Sequence, residues 1–299
     1  MRSAAAPAGE GRTVGWALDR GTRRLRSAGA ADPALDAALL LSATLDLPRL
    51  ELALGRGRAL RRTEADLFEQ RLRRRAAGEP LQYVLGEAHF RHLVLGVDHD
   101  VLIPRPETER LVDEVLAWLA AAGEPRPRLL DVGTGSGAIA LALLQELPRA
   151  TAVATDVCPA ALRLAAVNGA RAGVAPRLEL RTGDLLEPVR AGERFTVIAA
   201  NLPYVAHAEM AELPREVRRF EPRGALLGGE TGAEIIARLV GAAPRALAAA
   251  GLLICESAPH HTAALRRVVR GTPGLRYVRA FLDLSGRRRG FLAAASPPT

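Results

Sequence analysis

The chain has 299 residues, 48% of them hydrophobic, which suits two domains with cores of their own and excludes global disorder. Its net charge is +8, yet it has no lysine: arginine supplies all 41 basic residues, so the charge tracks composition and is weak evidence for a nucleic-acid partner. No apolar run reaches the ~18 residues of a membrane helix, the start lacks a secretory apolar region, and the distant Cys158 and Cys255 make no disulfide framework or zinc site. They read as two buried free thiols in a reducing cytoplasm.

Residues 1–11 read as a disordered tail. Residues 12–84 read as a small helical bundle. In "ADPALDAALLLSATLDL", Asp32 is placed to cap a helix and Pro33 to occupy its first turn. Ala38, Leu41 and Leu45 then follow helical spacing. In "TEADLFEQRLRRRAAG", Thr63 is the expected cap, with Asp66 reaching back and Gly78 ending the helix. Ala65, Phe68, Leu72 and Ala76 form its apolar stripe. Residues 1–80 hold 15 arginines against 10 acids, densest in Arg56–Arg62 and Arg71–Arg75. These runs read either as solvated helix faces or as a docking surface for an acidic partner or RNA.

Residues 85–104 suggest a linking β-hairpin, with "HFRHLVLGVDHDVLIP" alternating around Gly96. Residues 105–299 read as a second domain, opening with a helix over Arg105–Gly123. Strands are expected at Arg128–Val132, Thr151–Val157, Arg177–Thr182, Phe195–Ala200, Gly251–Glu256, Arg276–Leu282 and Gly290–Ala295, with helices between the earlier ones. Apolar strands alternating with helices imply a doubly wound, mostly parallel α/β sheet. The short link "DLSGRRR" cannot make a parallel crossover, so the last strand should be antiparallel.

"LLDVGTGSGAIALAL" is strand, glycine loop, helix. Gly133, Thr134, Gly135, Ser136 and Gly137 allow a sharp turn and close approach of a ligand. The loop also satisfies a dinucleotide fingerprint, so by itself it is ambiguous. Three acids shift the balance. Asp131 ends the first strand, where it can hold an ammonium or a water. Asp156 ends the second, where acids meet ribose hydroxyls. Asp184, followed by Leu185, ends the third, where a carboxylate can accept from an adenine amine. Three strand-end acids suit S-adenosylmethionine, which carries a sulfonium and an ammonium and no phosphate. Alone, Asp156 also reads as a helix cap.

The fourth strand, "VIAANLPYV", ends at Asn201-Leu202-Pro203-Tyr204. Ligands of doubly wound sheets sit beyond the carboxyl ends of the strands. The Asn201 side-chain oxygen and the Leu202 carbonyl can accept from the two hydrogens of a planar NH2 group. Pro203 restrains Leu202 to an extended conformation, and Tyr204 can lie on the flat face of the amide or base. His89, His92 and His99 read as surface or packing residues, and no metal is expected.

Taken with "GEPLQYVLGEAHF", "VLIPRPETE" and "EVRRFEPRGALLGGETG", these motifs resemble the peptide chain release factor glutamine-N(5) methyltransferases (PrmC/HemK) in the right order over residues 12–295. The resemblance implies an N-terminal helical domain that holds the substrate and a class I methyltransferase domain of seven strands. It implies methylation of the glutamine in the Gly-Gly-Gln loop of class-1 release factors. The catalytic residues would be Asn201, Leu202, Pro203 and Tyr204, with Pro104, Glu107 and Thr108 near the methionine end of the donor. A cytoplasmic monomer with no membrane and no stable nucleic-acid binding is expected. One departure stands out: the family tip is usually Asn-Pro-Pro-Tyr, and Leu202 replaces its first proline. Asn-Leu-Pro-Tyr also resembles ribosomal RNA adenine dimethyltransferases. Adenine amino-methylation of RNA or DNA, ribosomal-protein glutamine methylation and a non-enzymatic arginine-rich RNA-binding module are the alternatives.

Overall fold

A computed structural model describes residues 12–296. The expected tail at 1–11 lies outside them. The chain divides into two compact units. The first holds the described chain up to Gly86 together with Arg215–Phe220; the second holds Glu87–Pro214 and Glu221–Thr299 as far as residue 296. The hairpin therefore belongs to the second unit, and Arg215–Phe220 to the first.

The first unit is helical: α1 (Val14–Ser27), α2 (Pro33–Leu45), α3 (Arg49–Leu54), α4 (Arg62–Ala76) and α5 (Leu81–Leu85). Asp32 caps α2 as expected, accepting from the Leu35 N–H at 3.1 Å. The buried stripe of α2 is Ala37, Leu40 and Leu41, one position from the expected phase; Ala38 and Leu45 are half-buried. Thr63 does not cap α4. The helix begins at Arg62, which puts Glu64, not Asp66, where a carboxylate reaches back, and Glu64 Oε2 accepts from the Arg61 N–H at 2.8 Å. Phe68 and Leu72 of α4 pack with Leu25, Leu40 and Leu41 in one core.

The two arginine runs are largely tied up within this unit. Arg58 and Arg61 bond Glu64, Arg56 pairs with Asp19, and Arg74 pairs with Glu79. Arg75 lies between Asp36 at 2.7 Å and Glu216 at 3.1 Å. The pairs of Arg58, Arg61 and Arg74 are local in sequence, and Arg56, Arg58 and Arg61 stay exposed to solvent while Arg75 is mostly buried.

In the second unit, β1 (Glu87–Phe90) and β2 (Leu93–Gly96) form the hairpin. It turns at Arg91, whose φ is 53°, and not around Gly96. Gly96 ends β2, where a Cβ would meet Asn168 Oδ1 at 3.1 Å, and its N–H donates to that oxygen at 2.8 Å. Residues 97–104 form no strand. The next helix, α6, is Glu109–Ala122, shorter than expected, because Arg105 precedes a proline and is extended, and Pro106–Thr108 make a 3-10 turn.

Then follow β3 (Arg128–Val132), α7 (Ala138–Glu146), β4 (Thr151–Asp156), α8 (Pro159–Arg171), β5 (Leu178–Thr182), β6 (Phe195–Ala200), β7 (Val205–Ala206), α9 (Arg215–Phe220, of the first unit), β8 (Leu227–Gly229), α10 (Glu234–Ala242), β9 (Leu247–Glu256), α11 (Thr262–Arg270), β10 (Leu275–Leu282) and β11 (Arg288–Ala295). Seven of these strands form one sheet in the order β10-β11-β9-β6-β3-β4-β5. It is parallel except for β11, which runs antiparallel to both neighbours, as the short link requires. This is the class I methyltransferase architecture. Alternate residues feed its two faces: Leu129, Val197, Ala199 and Ile254 join α6 and α7 on one side, while Leu130, Ile198, Ala200 and Leu253 join α10 and α11 on the other. Each fully buried Leu, Ile or Val is worth about 1.5–3 kcal/mol, so the two cores hold the strand ends rigidly. The pair β7–β8 was not foreseen; strands of two and three residues carry no readable period.

Candidate active site

Strand order reverses at β3, which has β4 on one side and β6 on the other. Beyond the carboxyl ends there lies a cavity of about 350 Å³, the place and size of a small-ligand site.

The glycine loop forms one wall. Gly133 and Gly135 have φ of 73° and 55°, which side chains resist. The Gly133 and Thr134 N–H groups donate to the Thr155 carbonyl at 2.8 and 3.0 Å, tying the loop to β4. Asp156 completes the tie: Oδ2 accepts from the Gly135 N–H and Oδ1 from the Cys158 N–H, both at 2.9 Å. Asp184 and Leu185 also line the cavity, with Asp184 ion-paired to Arg238 of α10. Cys158 is half-buried and lines the cavity, so only Cys255 is a buried thiol.

Two expected cofactor residues stand back from the lining. Asp131 is 2% exposed, and its Oδ2 accepts from Thr134 Oγ1 at 2.6 Å and the Ala140 N–H at 3.1 Å. It braces the loop and the start of α7. Burial pushes its carboxyl up to about 6. Gly137, with φ of 88°, opens α7 behind the lining.

The opposite wall is the tip of β6. Asn201, Leu202 and Pro203 line the cavity. Tyr204 does not: its ring packs against the core and its hydroxyl donates to Glu256 Oε1 at 3.1 Å. Burial, and then the Glu256 carboxylate, hold that phenol above its usual range. Asn201 Nδ2 donates to Thr108 Oγ1 at 3.0 Å, and Thr108 Oγ1 donates to Glu256 Oε2 at 2.7 Å. Pro104 and Thr108 line the cavity, whereas Glu107 pairs with Arg289 at 3.1 Å instead. The segment before Thr108 is anchored by buried Glu221, which accepts from Arg105 Nη2 at 2.5 Å and the Ile103 N–H at 3.4 Å.

Glu256, Glu221 and Gly228 support the site without being among the residues expected for it. A Cβ on Gly228 would stand 2.6 Å from the Pro203 carbonyl oxygen, so "LLGG" is glycine where it presses on the tip. The signal for Glu256 was an acid closing an otherwise apolar strand, the same signal that marked Asp131 and Asp156.

The PrmC N-terminal domain family model matches residues 17–86, and a methyltransferase domain model matches residues 129–224. A release factor glutamine methyltransferase of Rhodopirellula baltica is 36% identical over 93% of this chain and 94% of its own. One of Moorella thermoacetica is 40% identical over 94% of this chain and 98% of its own. Among solved structures, the catalytic domain of hMettl16 bound to the MAT2A 3'UTR hairpin 1 matches with a TM-score of 0.55 at 19% identity, over 76% of this chain and 80% of that one, which speaks to the fold alone. The adenine and ribosomal-protein alternatives gain no support from these relatives. With relatives of this identity aligned along nearly its whole length, the chain belongs to the release factor glutamine methyltransferase family.

Proposed function

We propose that the cavity holds S-adenosylmethionine against the Asn201–Tyr204 tip, and that the tip presents the glutamine amide of the Gly-Gly-Gln loop of a class-1 release factor. As a family member the chain is an S-adenosylmethionine-dependent protein-(glutamine-N5) methyltransferase. The lining suits that donor. It contains the carboxylates of Asp100, Asp156 and Asp184 and, among the described residues, no arginine, in a chain with 41 of them. A pyrophosphate would call for the opposite charge; a sulfonium with hydroxyls and an ammonium fits.

When bound, the donor supplies an electrophilic methyl group. The chain's own residues position its acceptor. Each Asp156 oxygen has a second lone pair to offer a ribose hydroxyl. Asn201 has committed Nδ2 to Thr108, so Oδ1 is the atom left to accept from the substrate amide, and this observation carries the proposal. The Leu202 carbonyl is the second acceptor. The two fix the NH2 plane and favour a more pyramidal nitrogen. No strong base is needed, because the proton leaves once the nitrogen is alkylated. Rate then comes from placement. Tyr204 stiffens the tip from behind. The helical unit engages the body of the release factor, and the protein acts as a cytoplasmic monomer. Among the described residues no helix is long and apolar enough to cross a membrane.

The test offers labelled donor with purified class-1 release factor, ribosomal proteins and ribosomal RNA side by side. Label on the Gly-Gly-Gln glutamine is expected. Label on RNA or ribosomal protein, with none on the release factor, would overturn the reading.

A further inference from the structure

The tip of β6 is held by a second strand end. β6 and β9 are parallel neighbours with Ala200 opposite Cys255, so Asn201 and Glu256 follow side by side at the same edge of the sheet. Thr108, from the 3-10 turn before α6, lies between them. Glu256 is 1% exposed and Thr108 3%.

Counting protons gives this arrangement a direction. A threonine hydroxyl has one proton. Thr108 spends it on Glu256 Oε2 at 2.7 Å. Toward Asn201 it offers only a lone pair, so the group facing it at 3.0 Å must be Nδ2. Tyr204 likewise spends its only proton on Glu256 Oε1 at 3.1 Å. We infer that Glu256 is a positioning residue: its carboxylate, acting through the Thr108 hydroxyl, holds Asn201 with Oδ1 turned to the substrate, and through the Tyr204 hydroxyl it fixes the far end of the tip. The inference rests on the reading of Asn201 as the amide clamp.

The ionised carboxylate is essential to this direction. A neutral Glu256 could give its own proton to Thr108. The Thr108 proton would then face Asn201, whose carboxamide would turn and aim N–H groups at the hydrogens of the substrate amide. The charged and titratable groups around Glu256 are Glu107 from the turn before α6, Tyr204 from the β6 tip and Arg289 from β11. Burial raises the carboxyl above its usual range, more than the hydrogen bonds from Thr108 and Tyr204 and the nearby Arg289 lower it; Glu107 adds to the rise. The rate of methyl transfer should therefore fall on the acid side as Glu256 takes up its proton.

The experiment is single-turnover methylation of a release factor across pH, paired with calorimetry of donor binding, on Thr108→Val, Thr108→Ser, Glu256→Gln, Asn201→Ala and the double variant Thr108→Val/Asn201→Ala. Thr108→Val and Glu256→Gln should each lose ~10²-fold in rate, the scale of a misplaced reacting group, while still binding the donor. Thr108→Ser, which restores the hydroxyl, should recover most of the rate. Thr108→Val should cost nothing further once Asn201 is alanine, because the pair acts as one unit. The acid limb should disappear in Glu256→Gln. If Asn201→Ala loses rate and Thr108→Val does not, or if Thr108→Ser fails as badly as Thr108→Val, the positioning chain is wrong and the clamp stands. If Asn201→Ala keeps its rate, the clamp itself is wrong.

Discussion

Leu202 of the β6 tip rests directly on Gly133 of the glycine loop: a Cβ on that glycine would stand 2.8 Å from Leu202 Cδ2. The leucine is 5% exposed and shares a core with Val132, Leu185 and Ile236. It replaces a proline of the usual family tip, and it contributes more than a backbone carbonyl. Its side chain fastens the substrate wall to the cofactor wall.

Leu202→Ala should therefore be costly in stability and mild in chemistry. Truncating a buried leucine costs about 2–5 kcal/mol, read by urea denaturation. The carbonyl survives, so single-turnover rate in folded protein should fall less than in Asn201→Ala, which loses an aligned acceptor worth about 10²–10³ in kcat. Gly133→Ala should weaken donor binding through both the 73° φ and the clash. Adding Leu202→Ala should relieve the clash alone. Equal rates for Leu202→Ala and Asn201→Ala losses would remove the carbonyl from the account.

Asp156 has two tasks, and substitution should reveal both. Its oxygens hold the Gly135 and Cys158 N–H groups even before any ligand is considered. Asp156→Ala should lower donor affinity at least tenfold, since hydrogen bonds to a charged group are worth about 1.5–3 kcal/mol each. It should also raise hydrogen exchange at Gly135, because the loop loses its tie. Unchanged affinity by calorimetry, in a folded variant, would take the ribose role away from this residue.

What the sequence made legible divides along physical lines. Strands buried on both faces are mostly apolar, and β3 and β6 could be bounded correctly from that run. The glycine loop was readable because positive φ leaves few residues to choose from. The supporting shell was not readable. Thr108 meets Asn201 across 93 residues and Glu256 across 148, and no period or spacing links them. Tyr204 reads in the motif as a ring for the ligand, and the bond of its hydroxyl to Glu256 was not legible, since a motif names a residue but not the groups its side chain reaches. The arginine runs read as solvated faces or as a docking surface, and neither reading could place Arg75, which finds Asp36 and Glu216 only through 39 and 141 residues of intervening chain.

Arg75 gives that last point a test. Its side chain is 11% exposed and that of Asp36 10%. Removing one partner of a buried pair strands the other's charge and costs about 3–5 kcal/mol. Arg75→Ala should destabilise the helical unit on that scale in a urea titration, with donor binding preserved. Exposed Arg73, two positions away, should tolerate alanine within about 0.5 kcal/mol. If release factor KM rises with salt in the wild type, the steering charge should then be sought among exposed arginines such as Arg73.

Asp131 supplies a pH test of the loop's support. Burial raises its carboxyl from an ordinary aspartate value to about 6 in the folded chain. The native state therefore holds this proton over a range where the unfolded chain, near 3.9, has released it. Unfolding then releases protons between those values, so the contribution of Asp131 to stability is full below about pH 4 and is lost as pH rises through 6. Asp131→Asn keeps an acceptor for Thr134 Oγ1 and the Ala140 N–H while removing the titration. The stability of this variant relative to wild type should rise with pH across that window, by an amount on the order of 2–3 kcal/mol. Urea titrations at pH 4.5 and 7.5 read the difference directly. A relative stability that stays flat, or falls as pH rises, would mean that Asp131 is already ionised behind the loop at pH 4.5.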